Sequence, residues 1–257
     1  MYRNTFLSVM FLACCFNGSL CAQSDAQIYE RTCDAKTYPF SDPSPVATPN
    51  NSYYPYFRFD GFSMQAQEKQ WKMVVLENEY VKLTVTPEIG GKIWGAIDKV
   101  NNKEFVYTNG VVKFRDVAMR GPWTSGGIEF NFGIIGHAPT CSTPIDYLTK
   151  KNVDGSVSCH IFSYEWITRT VWNVEISLPK DKAYFTTHTT WFNQSSIDQP
   201  YYQWMNAGYA TKTGTRFYYP GTYSIGHSGD LHPYPIDEEG RDVSWYDNNN
   251  FGASKSL

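Results

Sequence analysis

Short alternating segments cut by turn residues constrain this chain more than any other feature. Val81, Leu83 and Val85 alternate with Lys82, Thr84 and Thr86. That period of two buries one face of a strand. Pro87 and the pair Gly90-Gly91 then turn the chain, KIWGAI resumes as a strand, DKVNNKE turns again, and FVYTNGVVKF follows. The second half repeats the pattern in SVSCHIFSYEWI, TVWNVEISL, KAYFTTHTTWF and YYQWMNAGYAT, with LPKDKA as a tight turn. The β-branched run TTHTTW loses little by being extended. No stretch sustains the 3.6-residue spacing of a long amphipathic helix, and no fixed period marks a solenoid. The expected fold is all-β, a large antiparallel sandwich or a barrel, with the sandwich preferred.

Residues 1–22 read as a secretory signal peptide, with Arg3 ahead of an apolar run from Phe6 to Phe16 and small residues up to Ala22. Cleavage before Cys14 or Cys15 with lipid attachment is the alternative. The expected location is therefore secreted or periplasmic, with a lipid anchor at the cell envelope as the variant. No apolar run is long enough to span a bilayer. Residues 23–62, rich in Pro, Ser, Asn and Tyr, are expected to form an extended lead-in, and residues 63–257 the sandwich. SWYDNNNFGASKSL ends without an obvious closing strand, so the sandwich is expected to be incomplete there. Cys141 and Cys159 form a conceivable disulfide, leaving Cys33 odd.

A formal net charge of -3 gives no basic surface for nucleic acid. There is no Cys-x-x-Cys, no His-Glu-x-x-His, no nucleotide-binding glycine pattern and no nucleophile elbow. No cofactor is expected. Aromatic residues make up 17% of the chain; the extra rings fit cross-strand pairs in a sheet or, alternatively, line a groove, because flat rings match the apolar faces of sugars.

The chemistry concentrates in PWTSGGIEFNFGIIGHAP, residues 122–139. Ile128, Phe130 and Phe132 point one way, and Glu129 and Asn131 sit side by side on the other face. Gly126-Gly127 before the strand and Gly133 and Gly136 after it permit close approach or positive φ. Glu129 is the leading candidate base or acid, its pKa open to being raised by burial among aromatics. The competing reading is a structural ion pair with Arg115, Arg120 or Lys113. His137, between small neighbours, is the candidate acid partner, and Asp247 the candidate second carboxylate, with Asp230 and Asp146 as alternatives. Arg120, Trp123, Asn131, Trp204, Asn206 and His227 are candidate substrate contacts. His227, Asp230 and His232 have generic spacing, and no metal site is expected from them.

The segments VTPEIGGKIWGAIDKVNNKEFVYTN, WTSGGIEFNFGIIGHAPTCSTPIDY, YYQWMNAGYA and GRDVSWYDNNNFGASKS resemble a bacterial domain family of unknown function, DUF5107. The resemblance runs from about Trp71 to the C-terminus, and GGIEFNFG…GHAP is its most specific part. Members are often exported and often carry helical repeats after the domain. The family is similar to the galactose-mutarotase-like supersandwiches, which include aldose epimerases and sugar-binding domains of glycoside hydrolases. The resemblance implies a large antiparallel sandwich whose open face binds carbohydrate. In mutarotases a Glu base and a His acid open and close the sugar ring. Glu129, His137 and Arg120 match the DUF5107 pattern, without a residue-by-residue placement on a mutarotase. The implied partner is a sugar or glycan. The activity expected is a glycoside hydrolase or epimerase, with a non-catalytic carbohydrate-binding module or a surface assembly domain as alternatives.

Overall fold

A computed structural model describes residues 24–40, 61–118, 121–133, 137–165, 168–200, 202–226 and 229–249. Among these, strands dominate and the only helical pieces are two short 3-10 turns, Pro139–Ser142 and Tyr246–Asn248. The strands in chain order are β1 (Gln27–Tyr38), β2 (Gln67–Glu77), β3 (Val81–Thr86), β4 (Lys92–Asp98), β5 (Lys103–Val106) and β6 (Val112–Lys113). They continue with β7 (Arg115–Ala118), β8 (Gly121–Trp123), β9 (Ile128–Gly133), β10 (Asp146–Lys151) and β11 (Val157–Glu165). The last are β12 (Thr170–Leu178), β13 (Thr186–Asn193), β14 (Tyr202–Ala207), β15 (Tyr223–Ile225) and β16 (Leu231–Pro233).

Two sheets carry the architecture. The larger has eight strands in the order β14-β9-β4-β3-β2-β1-β6, with β5 pairing on β4; the smaller has four in the order β10-β11-β12-β13. Every pairing inside them is antiparallel except β1 with β6. The fold is thus an all-β, sandwich-like arrangement, as the alternation predicts. Val74, Leu76, Leu83, Ile93 and Phe130 of the large sheet pack against Cys159, Ile161, Trp172, Val174 and Ile176 of the small one. Phe132 stacks on Trp172 at 4.5 Å and meets Trp191 edge-on at 5.4 Å, the two geometries aromatic rings prefer.

The middle of the large sheet is buried on its second face too. Trp71 and Met73 of β2 form a separate cluster there with Ile89, Trp94, Val112 and Phe114. Trp71 donates its indole N–H to Thr37 Oγ1 at 2.9 Å, which satisfies a buried donor. This doubly covered sheet places a functional side chain inside the protein on either face.

Two expectations are revised. The segment 23–62 contains a sheet strand: β1 pairs with β2 from Gln27 opposite Glu77 to Thr37 opposite Gln67. Seven of its twelve residues are exposed and only Thr37 is buried, so it carries no hydrophobic alternation to read. Residues 41–60 lie outside the described residues, as does the segment read as a signal peptide. Cys141 and Cys159 are thiols with no disulfide between them. Cys159 sits in the sandwich core, where burial pushes its thiol up to about 12. Among the described residues no helix is long and apolar enough to cross a membrane.

Candidate functional site

The strand β9 places Glu129 by simple alternation. Ile128, Phe130 and Phe132 enter the sandwich core, so Glu129 and Asn131 project from the opposite face. The glycines before it are required by geometry. Gly126 has φ +76° and Gly127 φ +67°, and a Cβ on Gly127 would overlap the Ile93 carbonyl oxygen. Backbone bonds lock the corner: Gly127 N–H donates to Tyr107 O at 2.8 Å, and Gly208 N–H donates to Gly127 O at 2.8 Å.

Strand pairing then supplies neighbours. Antiparallel register sets Trp204 opposite Asn131 and Asn206 opposite Glu129. Directly opposed residues share a face, so all four side chains crowd one patch. Asn131 Nδ2 donates to Glu129 Oε1 at 2.7 Å, and Asn206 Nδ2 reaches the same oxygen at 3.3 Å. Asn131 Oδ1 accepts from the Ala138 N–H at 2.9 Å, which pins the loop that presents His137.

His137 Nδ1 lies 2.5 Å from Glu129 Oε1. An ionised carboxylate only accepts, so Nδ1 carries the hydrogen and Nε2 is left as the ring's other nitrogen. Among the described residues Nε2 has no partner. The ring is fixed from two sides: Trp123 stacks on it at 5.6 Å and 14°, and Trp204 meets it edge-on at 5.6 Å. The Glu129 side chain is 3% exposed, whereas that of His137 is 22% exposed. The carboxylate is the hidden member of the pair and the imidazole is the member that meets solvent.

The residue missed from the sequence is Lys92, the first residue of β4. Its side chain is 1% exposed, and Nζ lies 3.9 Å from Glu129 Oε2. Nζ also donates to the Thr124 carbonyl and, at 3.1 Å, to Thr124 Oγ1. Burial pulls its pKa below the ordinary lysine value, and the Glu129 charge only partly restores it. For Glu129, burial pushes the pKa up, but the His137 bond, the Lys92 charge and the Asn131 amide together carry it below the usual carboxylate value. This corrects the expectation of a raised Glu129. Desolvation acts as anticipated, and three partners outweigh it. The ionic partner is likewise neither Arg115 nor Lys113. Arg115 Nη1 donates to Phe114 O at 2.7 Å, and Lys113 lies over the Tyr38 ring.

The structure therefore joins Glu129, His137, Trp123, Asn131, Trp204 and Asn206 in one cluster. Asp247 belongs elsewhere: its Oδ2 accepts from Gly214 N–H at 2.8 Å, and among the described residues it bonds to no member of the Glu129 group. Arg120, His227 and Gly136 lie outside the described residues. The indole N–H of Trp123 is buried with no acceptor among the described residues. Chemically, the cluster offers an ionised carboxylate that orients an imidazole, a second nitrogen on that imidazole, two tryptophan faces and an unspent N–H donor.

The chain belongs to the family described as "Domain of unknown function (DUF5107)", whose match covers residues 48–257 and so contains the whole cluster. A crystal structure of a TPR-domain containing protein from Parabacteroides distasonis is similar in fold, with a TM-score of 0.70 and 26% identity over 78% of this chain. This chain spans 35% of that protein's length.

Proposed function

We propose that this is an exported carbohydrate-active domain in which His137 performs acid–base chemistry on a sugar hydroxyl and Glu129 is its positioning residue. The observation that carries the reading is the 2.5 Å contact between a buried carboxylate and a partly exposed imidazole. With Nδ1–H held by Glu129, Nε2 takes a proton from a sugar hydroxyl, and the imidazolium formed is stabilised by the adjacent carboxylate. Proton shuttling of this kind is what opening and closing a sugar ring requires, so an epimerase-type reaction is preferred. Hydrolysis by paired carboxylates is less supported, because Asp247 is engaged away from Glu129. Trp123 and Trp204, which flank the His137 ring, supply flat surfaces of the kind that sugars pack on.

The test is anomer interconversion of a monosaccharide panel followed by NMR. His137→Ala is expected to slow it roughly 10²- to 10⁴-fold, the usual worth of one general acid–base group. Parent-like rates in that variant would remove the catalytic reading. The same tryptophan pair favours a second reading, a non-catalytic carbohydrate-binding module. Calorimetric titration showing tight oligosaccharide binding with no conversion of any sugar selects that reading.

A further inference from the structure

Residues 209–249 form an arm with a chemistry of its own. Beyond Gly208, among the described residues, its backbone bonds run within the arm: Phe217 N–H to Ser244 O at 2.8 Å, Tyr246 N–H to Thr215 O at 2.9 Å, and Tyr234 N–H to Thr222 O at 2.8 Å. Of its described side chains only Ser244 is buried. Despite that thinness the arm lines a half-open hollow of about 790 Å³, within the size range of small-ligand sites.

The hollow's walls are held in place. Tyr234 Oη donates to Phe217 O at 2.7 Å, and Tyr219 packs edge-on against the Tyr234 ring at 5.5 Å. Arg241 Nε donates to Asp237 Oδ2 at 2.7 Å, and its Nη2 to Glu239 Oε2 at 3.0 Å. Glu238 also lines the hollow and has no partner among the described residues.

We infer that this hollow is a second binding site, separate from the Glu129–His137 cluster, for a neutral polyhydroxylated ligand such as a stretch of oligosaccharide. Three carboxylates repel anions and so disfavour phosphates and uronates. Arg241 is bonded to Asp237 and Glu239, so the lining keeps a net negative charge and a cation is the competing occupant that the titration must separate. Groups that both donate and accept, as hydroxyls do, find acceptors on Glu238 and Glu239 and donors on Arg241. The exposed Tyr219 ring, 65% accessible, gives a sugar ring an apolar face to rest on.

The experiment is calorimetric titration of the full chain with four probes: xylohexaose, cellohexaose, maltohexaose and chitohexaose. Oligogalacturonate and spermidine serve as the anionic and cationic comparators. At least one neutral hexasaccharide is expected to bind. Tyr219→Ala is expected to weaken that binding about tenfold or more, as loss of one ring contact does. Glu238→Gln is expected to weaken it less, and Glu129→Gln to leave it within about twofold. Tyr219 is exposed, so its substitution leaves folding intact, which circular dichroism checks. The inference is overturned if no neutral probe binds, if only spermidine or oligogalacturonate binds, or if binding survives Tyr219→Ala and is lost in Trp123→Ala. The last result would place the sugar at the Glu129 cluster and leave the proposed function standing.

Discussion

The two faces of β9 set the same five-residue stretch to opposite uses. On one, Ile128, Phe130 and Phe132 sit in a dry core, and Phe132 lies in aromatic contact with Trp172 and Trp191. On the other, Glu129 and Asn131 are buried as deeply yet surrounded by Lys92, His137, Asn206 and Trp204. The first face needs only volume and contact, because dispersion and the hydrophobic effect are indifferent to direction. The second needs partners, because a buried charge without them costs several kcal/mol, on the order of the protein's whole stability. Depth alone therefore does not distinguish structure from function here. Hydrogen-bond bookkeeping does, and the polar face leaves the Trp123 N–H unspent.

Substitutions on the two faces should separate stability from chemistry. Phe132→Ala is expected to cost about 3–5 kcal/mol of unfolding free energy in urea titration. It should leave the ring geometry of His137 intact in whatever fraction stays folded. A loss under about 1 kcal/mol would mean the sandwich core is less tightly packed than its ring contacts indicate.

Glu129→Gln keeps the shape of the polar face and removes its charge. It is expected to cost about 1–3 kcal/mol, because the buried Lys92 and the His137 N–H lose a charged acceptor. Thermal melts compared with the parent check this, and a stabilised variant would contradict the balance drawn between Lys92 and Glu129.

The pH profile sharpens the same point. Glu129 is held below its ordinary value, so the stability it supplies is present above the unfolded carboxylate's pKa and is lost as pH falls through the lower folded value. Lys92 is also held below its ordinary value, so in the unfolded state it binds a proton more tightly. Stability therefore rises with pH from the folded-state pKa of Lys92 up to about 10.5. Urea midpoints measured across pH should show both slopes in the parent, and Glu129→Gln should flatten the acid one. An unchanged acid slope would place the titrating carboxylate elsewhere. The smallest effect is expected from Asn206→Ala, whose contact with Glu129 is long at 3.3 Å. It should cost under about 1 kcal/mol in the same assay.

How much of this was legible follows from what each residue reveals locally. The alternation in IEFNFG assigns Glu129 and Asn131 to one face without any structure, and GG before it announces the corner that Gly127 makes. Trp204 and Asn206 were readable as a pair on one strand face, but only the register of β14 on β9 shows them opposite Glu129. Lys92 was not read at all. The available signal was a single charge opening the apolar run KIWGAI, which on a buried strand demands a buried carboxylate. β1 escaped because its side chains are mostly exposed and its place is fixed by backbone pairing with β2. The hollow in the arm escaped because its walls are gathered from positions spread between Thr211 and Asn249, which no local spacing brings together.

The most direct measurement is long-range ¹H–¹⁵N NMR of the His137 ring in the neutral form, in the parent and in Glu129→Gln, with and without monosaccharide. The parent ring is expected to carry its proton on Nδ1, sugar to shift the Nε2 resonance, and Glu129→Gln to mix the tautomers. A parent ring protonated on Nε2, or one whose nitrogens ignore every sugar in the panel, would contradict this.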